Sequence, residues 1–309
     1  MQMGIASIHI PTGRTAWSEI TRWSRDFVQE SRISVQIIFH IRFCTAVVLG
    51  TSILDGRVAA AALAWLLATL AIYVFNGVMD VTEDRANGST RPISRGSLPV
   101  PIAAGGVVAA GALALAIGGV VDAGGWLPVL ILAYLACGYA YSGAPVFGKR
   151  RGSTAMLLVL GMGVLTYVAG WQAAGREGGL PVLLLGTAMS LWMAGVGALS
   201  KDLSDAEGDA AGGRRTPVIR WGDTRVRVLI TANAVLIGGG YLAAALFFAP
   251  ILIPSALTLV AGALAVGVLA ATSRHAVGRD GRRRTYRGFM VTQYAVHIAV
   301  LATLLLEGL

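Results

Sequence analysis

Long apolar stretches separated by short polar connectors are the dominant pattern in this chain. Nine runs qualify, at 35–53, 58–79, 100–121, 126–141, 155–171, 180–199, 226–248, 251–271 and 289–306. Each is near the length, about 17–25 residues, that carries a helix across the hydrocarbon core of a bilayer. They are rich in Ala, Leu, Val and Gly and lack the polar–apolar alternation of a membrane β-strand, so the pattern predicts an all-α integral membrane protein, a bundle of nine transmembrane helices. The glycine clusters at Gly105, Gly106 and Gly111 and at Gly238, Gly239 and Gly240 are expected where helices pack closely. Before the first run, Trp17, Ile20, Trp23 and Phe27 recur at helical spacing between Arg14, Arg22 and Arg25. That spacing predicts an amphipathic helix, lying on the inner leaflet or packed on the rim of the bundle. The first 30 residues have no continuous apolar region, so no secretory signal peptide is expected.

Composition supports a membrane protein: 55% of residues are hydrophobic and 13% charged, with a mean hydropathy of +0.69. The net charge of +9 would suggest a nucleic-acid partner in a soluble protein. Its distribution gives another account. If the first 34 residues are inside, 22 of the 25 Lys and Arg fall in or beside that segment and the connectors after runs two, four, six and eight. Cytoplasmic loops collect basic residues in this way, so a cytoplasmic amino terminus is expected and nucleic acid is not. Cys44 and Cys137 lie inside apolar runs without CxxC spacing, and His9, His40, His275 and His297 form no ligand pair. A disulfide framework or zinc site is therefore not expected.

Acidic residues are costly near lipid, about 3 kcal/mol at mid-membrane. Seven of the sixteen nevertheless gather in two stretches, Asp80, Glu83 and Asp84 after run two and Asp202, Asp205, Glu207 and Asp209 after run six. Asn76, Asp80 and Asp84 are spaced four apart, and Asp202, Asp205 and Asp209 three and four apart, so each set lines one face if its helix continues through it. An even number of crossings separates the stretches, which places both on one side of the membrane. Two carboxylates 4 Å apart repel by about 4 kcal/mol at an effective dielectric of 20, so converging faces need cations between them. Carboxylate oxygens and an Asn carbonyl suit a hard ion, and Mg²⁺ keeps coordination positions open for phosphate oxygens. The pattern therefore fits a phosphorylated substrate held through bridging metals. Arg91, Arg95, Lys149, Arg150, Arg151, Lys201, Arg214 and Arg215 lie in the same connectors, and Arg91, Lys149 and Lys201 adjoin the motifs most closely.

At these residues the chain resembles the UbiA superfamily of intramembrane prenyltransferases. Asn76, Asp80 and Asp84 match its NxxxDxxxD motif, Asp205 and Asp209 its later DxxxD motif, and Lys201 with Asp202 looks like the KDxxDxxGD form. Arg91-Pro92-Ile93, Tyr141-Ser142 before Pro145 and Lys149, and Gly213 through Pro217 also look like family features, and the likeness spans 36–306. One position departs: the family often has Asp directly after the motif Asn, and this chain has Gly77. The resemblance implies one domain at 35–309, nine helices around a central cavity, behind an amino-terminal segment at 1–34. It implies transfer of an isoprenyl group from an allylic prenyl diphosphate to an aromatic or other lipophilic acceptor. Two Mg²⁺ ions would bridge the diphosphate, held by Asn76, Asp80, Asp84, Asp202, Asp205 and Asp209. Arg91, Lys149 and Lys201 would contact diphosphate oxygens. Tyr141 and Ser142 would face the reacting carbon or the acceptor, with an interfacial Tyr as the other reading. Arg42, inside the first run, would bind diphosphate or else snorkel to the interface.

A terpene cyclase of the same superfamily would use the same motifs, and its product would contain no second substrate. A transporter or channel is the rival of another class, since intramembrane acids also mark ion paths. The acids here fall at one rim rather than near mid-membrane, which favours the enzyme.

Overall fold

The computed structural model describes residues 14–51, 54–86, 88–211, 213–275 and 278–308. Ser52 and Ile53, which end the first expected span, lie outside these residues, as do the first thirteen with His9. A segment crossing hydrocarbon has to satisfy its own backbone hydrogen bonds, and the apolar runs do so as helices. In chain order these are α1 (Arg14–Glu30), α2 (Ile33–Gly50), α3 (Gly56–Met79), α4 (Val81–Ala86), α5 (Pro92–Arg95), α6 (Val100–Val121), α7 (Leu127–Ser142) and α8 (Gly152–Ala173). They continue with α9 (Gly179–Trp192), a π-helical turn (Met193–Ala198), α10 (Leu199–Ala211), α11 (Pro217–Trp221), α12 (Asp223–Phe248), α13 (Ile253–Thr272), α14 (Gly278–Arg282) and α15 (Arg284–Leu306). Among the described residues eight helices are long and apolar enough to span a membrane, taking α9 and α10 as one continuous helix, and the 16-residue α7 falls on the fourth expected run.

Helix ends follow local chemistry. The Asp55 carboxylate accepts from the Val58 amide at 2.9 Å and caps α3. Prolines stand in the first turns of α5, α6, α7 and α13, where their missing N–H costs no helical bond. The long helices pack in sequence, α3 on α6 and α7, α2 and α7 on α8, α8 on α9, α9 on α12, α12 on α13 and α13 on α15. The bundle closes where α15 returns to α2. One apolar cluster, around Phe43, Trp65 and Tyr134, joins α2, α3, α7 and α8. A second, around Trp192 and Phe289, joins α9, α12, α13 and α15. Val120, Leu236, Phe247 and Leu305 point outward and are exposed, the surface a lipid-facing bundle requires.

Close packing holds for part of each glycine cluster. A side chain at Gly106 would meet the Phe27 ring, at Gly111 Leu135 and at Gly238 Val260 and Ala263, but one at Gly105, Gly239 or Gly240 would enter open space. Adjacent helical positions point about 100° apart, so one neighbouring helix cannot meet them all. The amphipathic α1 divides similarly. Trp23 and Phe27 pack on Val74, Ile93, Leu98 and Ala103 at the rim, while Trp17 and Ile20 stay exposed. A left-handed Arg32 (φ 61°) then turns the chain into α2.

Candidate active site

The spacing of the first acidic stretch survives although its helix is interrupted. α3 gives way at Asp80, yet Asp80 N donates to Asn76 O at 3.0 Å and Asp84 N to Asp80 O at 2.7 Å. The i→i−4 ladder thus continues into α4. Asn76 turns its amide to the buried Ser142, donating to Oγ at 2.8 Å.

The second stretch lies on α10, immediately after the π-helical turn. A π turn adds a residue to the helical circuit and so rotates everything beyond it. Asn233 Nδ2 donates to the Gly195 carbonyl inside the turn at 2.9 Å, and the Phe289 ring packs where Gly197 has no side chain. α10 then runs unbroken through Asp202, Asp205 and Asp209.

The two stretches meet, and cations of the chain itself join them. Arg214 places Nη1 3.1 Å from Asp209 Oδ1 and Nη2 3.7 Å from Asp80 Oδ1, and it also pairs with Glu83. Lys149 forms an ion pair with Asp80. Arg91 reaches Asp84 Oδ2 at 2.8 Å and Glu30 Oε1 at 2.6 Å. Burial disfavours the charge of Arg214, but Asp209, Asp80 and Glu83 together outweigh it and hold its pKa raised. At Lys149 the balance reverses: burial draws the ammonium pKa down, and Asp80 only partly opposes it.

These groups surround a polar mouth of about 530 Å³, lined by Asn76, Asp80, Asp84, Asp205, Asp209 and Arg91 among others. It opens onto an inner cavity of about 180 Å³ walled by Phe39, Ile72, Tyr73, Met156, Tyr286 and Phe289. Seven residues border both: Arg32, Asn76, Tyr141, Lys149, Lys201, Asp209 and Arg214. Tyr141 therefore faces the junction rather than a lipid interface. Asp202 lines the inner cavity and not the mouth, Asp205 the mouth and not the inner cavity, and Asp209 both. Arg42 does not snorkel. It is 0% exposed, lines the inner cavity, and donates to Gln293 Oε1 at 2.5 Å and Met193 Sδ at 2.8 Å. Its guanidinium also lies over the Phe39 ring, 5.2 Å from the centroid.

Among the described residues no three His, Cys, Asp or Glu side chains gather around one ion position, and Lys149, Arg91 and Arg214 pair with Asp80, Asp84 and Asp209. The donor set nonetheless suits Mg²⁺: hard oxygens of Asp80, Asp84, Asp205 and Asp209 with the Asn76 amide, all on one polar mouth.

The sequence model of the UbiA prenyltransferase family matches residues 41–296. The chain belongs to the UbiA prenyltransferase family. Solved UbiA-fold structures agree in architecture. A UbiA homologue from Archaeoglobus fulgidus, bound to GPP and Mg²⁺, superposes with a TM-score of 0.71 at 17% identity, covering 90% of this chain and 99% of that one. A digeranylgeranylglyceryl phosphate synthase gives 0.68 at 15%, covering 90% and 97%. An apo UbiA homologue from Aeropyrum pernix K1 gives 0.60 at 20%, covering 88% and 98%. At such identities these likenesses establish the fold alone. No curated protein matches the sequence.

Several residues of this UbiA site escape a reading of the sequence. Gln293 and Met193 grip Arg42 from α15 and the π turn, Glu30 holds Arg91 from α1, and Arg214 ties the two acidic stretches. Only Arg214 carries a sequence signal, its place among the connector arginines. The others look like ordinary helix positions.

Proposed function

We propose that this chain is a Mg²⁺-dependent membrane prenyltransferase that moves an isoprenyl group from an allylic prenyl diphosphate to an aromatic or other lipophilic acceptor and releases diphosphate. The observation that supports this most is the direct opening of an acid- and base-lined mouth onto a cavity walled by aromatic and aliphatic side chains. An amphiphile with a pyrophosphate head and a hydrocarbon tail matches both parts. The family fits the reading, as do the Archaeoglobus fulgidus homologues bound to GPP or DMAPP with Mg²⁺.

Asp80, Asp84, Asp205 and Asp209, with Asn76, would hold the metal, and Asp202 would stand below them at the head of the inner cavity. When bound, Mg²⁺ neutralises charge on the diphosphate and makes it a better leaving group. Lys149, Lys201, Arg91 and Arg214 are placed to contact diphosphate oxygens, and Lys149 and Arg214 would exchange a carboxylate for phosphate as substrate enters. The allylic C–O bond breaks with its electron pair leaving on diphosphate. The acceptor then forms the new bond to the allylic carbon and loses a proton. Phe39, Tyr73 and Phe289 exclude water from that cation, and Tyr141 and Ser142 flank the junction where the acceptor meets it. The positive-inside asymmetry supports a cytoplasmic mouth and amino terminus.

The test is incubation of the purified chain with prenyl diphosphates of several lengths and a panel of acceptors, read by product mass. A prenylated acceptor is expected, with activity lost on chelation and restored by added Mg²⁺. A cyclised hydrocarbon lacking acceptor atoms would identify a cyclase, and substrate flux without chemistry a transporter.

A further inference from the structure

Gly77 and Glu30 occupy one another's space. A Cβ built on Gly77 would collide with Glu30 Oε1 and come within 2.7 Å of Arg91 Nη2. Glu30 arrives from the end of α1, is 0% exposed, and is held in place on both oxygens. Oε2 accepts from the Ile93 amide at 2.9 Å, and Oε1 lies 2.6 Å from Arg91 Nη2. The same Arg91 nitrogen donates to the Glu30 backbone carbonyl at 3.1 Å. Arg91 then extends its other arm, Nη1, to Asp84 Oδ2 at 2.8 Å. A line of polar contacts thus runs from α1 through Arg91 to a carboxylate of the mouth. A buried carboxylate is expensive unless it is paired, and leaving a guanidinium here without its partner is expensive too.

We propose that Glu30 is a positioning residue: from α1 it supplies, in the gap left by Gly77, the carboxylate that fixes Arg91 and through it aims Asp84 into the mouth. This rests on the prenyl-transfer reading of the site. In this arrangement α1 is a working part of the active site rather than a surface attachment, and the absence of a side chain at 77 is a requirement of Glu30. A carboxylate next to Asn76 and one arriving from α1 become mutually exclusive solutions, so restoring the first should compensate for losing the second.

The test uses the full chain in lipid nanodiscs. One readout is the Mg²⁺ concentration that half-saturates thermal stabilisation in excess inorganic pyrophosphate, which needs no turnover. The other is kcat/KM for an allylic diphosphate. Glu30→Ala is expected to raise the half-saturating Mg²⁺ and lower kcat/KM, each by about tenfold, the scale of losing an outer partner of a metal ligand. Gly77→Asp alone, colliding with Glu30, should do likewise. The double variant Gly77→Asp/Glu30→Ala should return both quantities to within about threefold of the native chain, because the two sites share one partner. If Glu30→Ala does not fold, Glu30→Gln keeps the size and an acceptor for Ile93 N but not the charge, and should shift Mg²⁺ dependence in the same direction. A folded Glu30 variant with native Mg²⁺ dependence, or a double variant no better than its worse parent, overturns the proposal. A native chain that Mg²⁺ and pyrophosphate do not stabilise overturns the underlying reading of the site instead.

Discussion

Arg42 is a charge kept where hydrocarbon chemistry would remove it. It is fully buried within α2, and its Nε has no hydrogen-bond partner among the described residues. A buried charge without a counter-charge costs stability, because nothing repays its desolvation. Gln293 and Met193 offer Arg42 no counter-charge, so its retention points to a ligand in the inner cavity. Arg42→Met should therefore melt at or above the native temperature while binding of donor or acceptor weakens by about tenfold, the cost of losing one charge-assisted hydrogen bond. Melting curves with substrate titrations check this. A variant with unchanged affinity would make Arg42 a packing residue.

The π turn is the element on which the second acidic stretch depends. Residues on α10 are about 100° apart around the axis, and the π turn already absorbs one extra residue, so inserting one more residue between Ala198 and Leu199 should rotate Asp205 and Asp209 off the mouth. Inserting an alanine after Ala198 is expected to leave helical content by circular dichroism close to native and to reduce turnover by at least about 100-fold. Retained turnover would show that the register of α10 is unimportant. This element also marks the limit of what the sequence makes legible. The four-residue spacing of Asn76, Asp80 and Asp84 maps directly onto a helix face, and the structure keeps it through consecutive backbone bonds across the α3–α4 break. No proline or polar residue announces the π turn. Arg214 is one of many basic residues in the connectors, and composition cannot rank them. Glu30 lies in an amphipathic stretch that reads as surface, and its burial arises only when α1 folds back over α5. Local spacing thus reveals the carboxylates, while the side chains that hold them come from helices far apart in the chain.

At the scale of the molecule the fold joins a polar mouth to an inner cavity walled largely by aromatic and aliphatic side chains, with Arg42 and Asp202 among them. The basic connectors accompany the mouth, which sets the expected sidedness. Thr90→Cys, beside the mouth, and Glu177→Cys, in the connector between α8 and α9, placed singly in a Cys44→Ala/Cys137→Ala background, should react oppositely with an impermeant maleimide. The first should label only in inside-out vesicles and the second only in right-side-out ones, and the reverse pattern would invert the orientation. The central claim is that carboxylates from both stretches act together on one pyrophosphate head. The most direct measurement is equilibrium binding, in Mg²⁺, of an unreactive thiolo analogue of an allylic diphosphate to the native chain, Asp80→Asn, Asp205→Asn and their double variant. The account predicts a loss of at least about tenfold in each single variant and a double loss smaller than the product of the two, as expected for residues sharing one ligand. Native affinity in either single variant would contradict it.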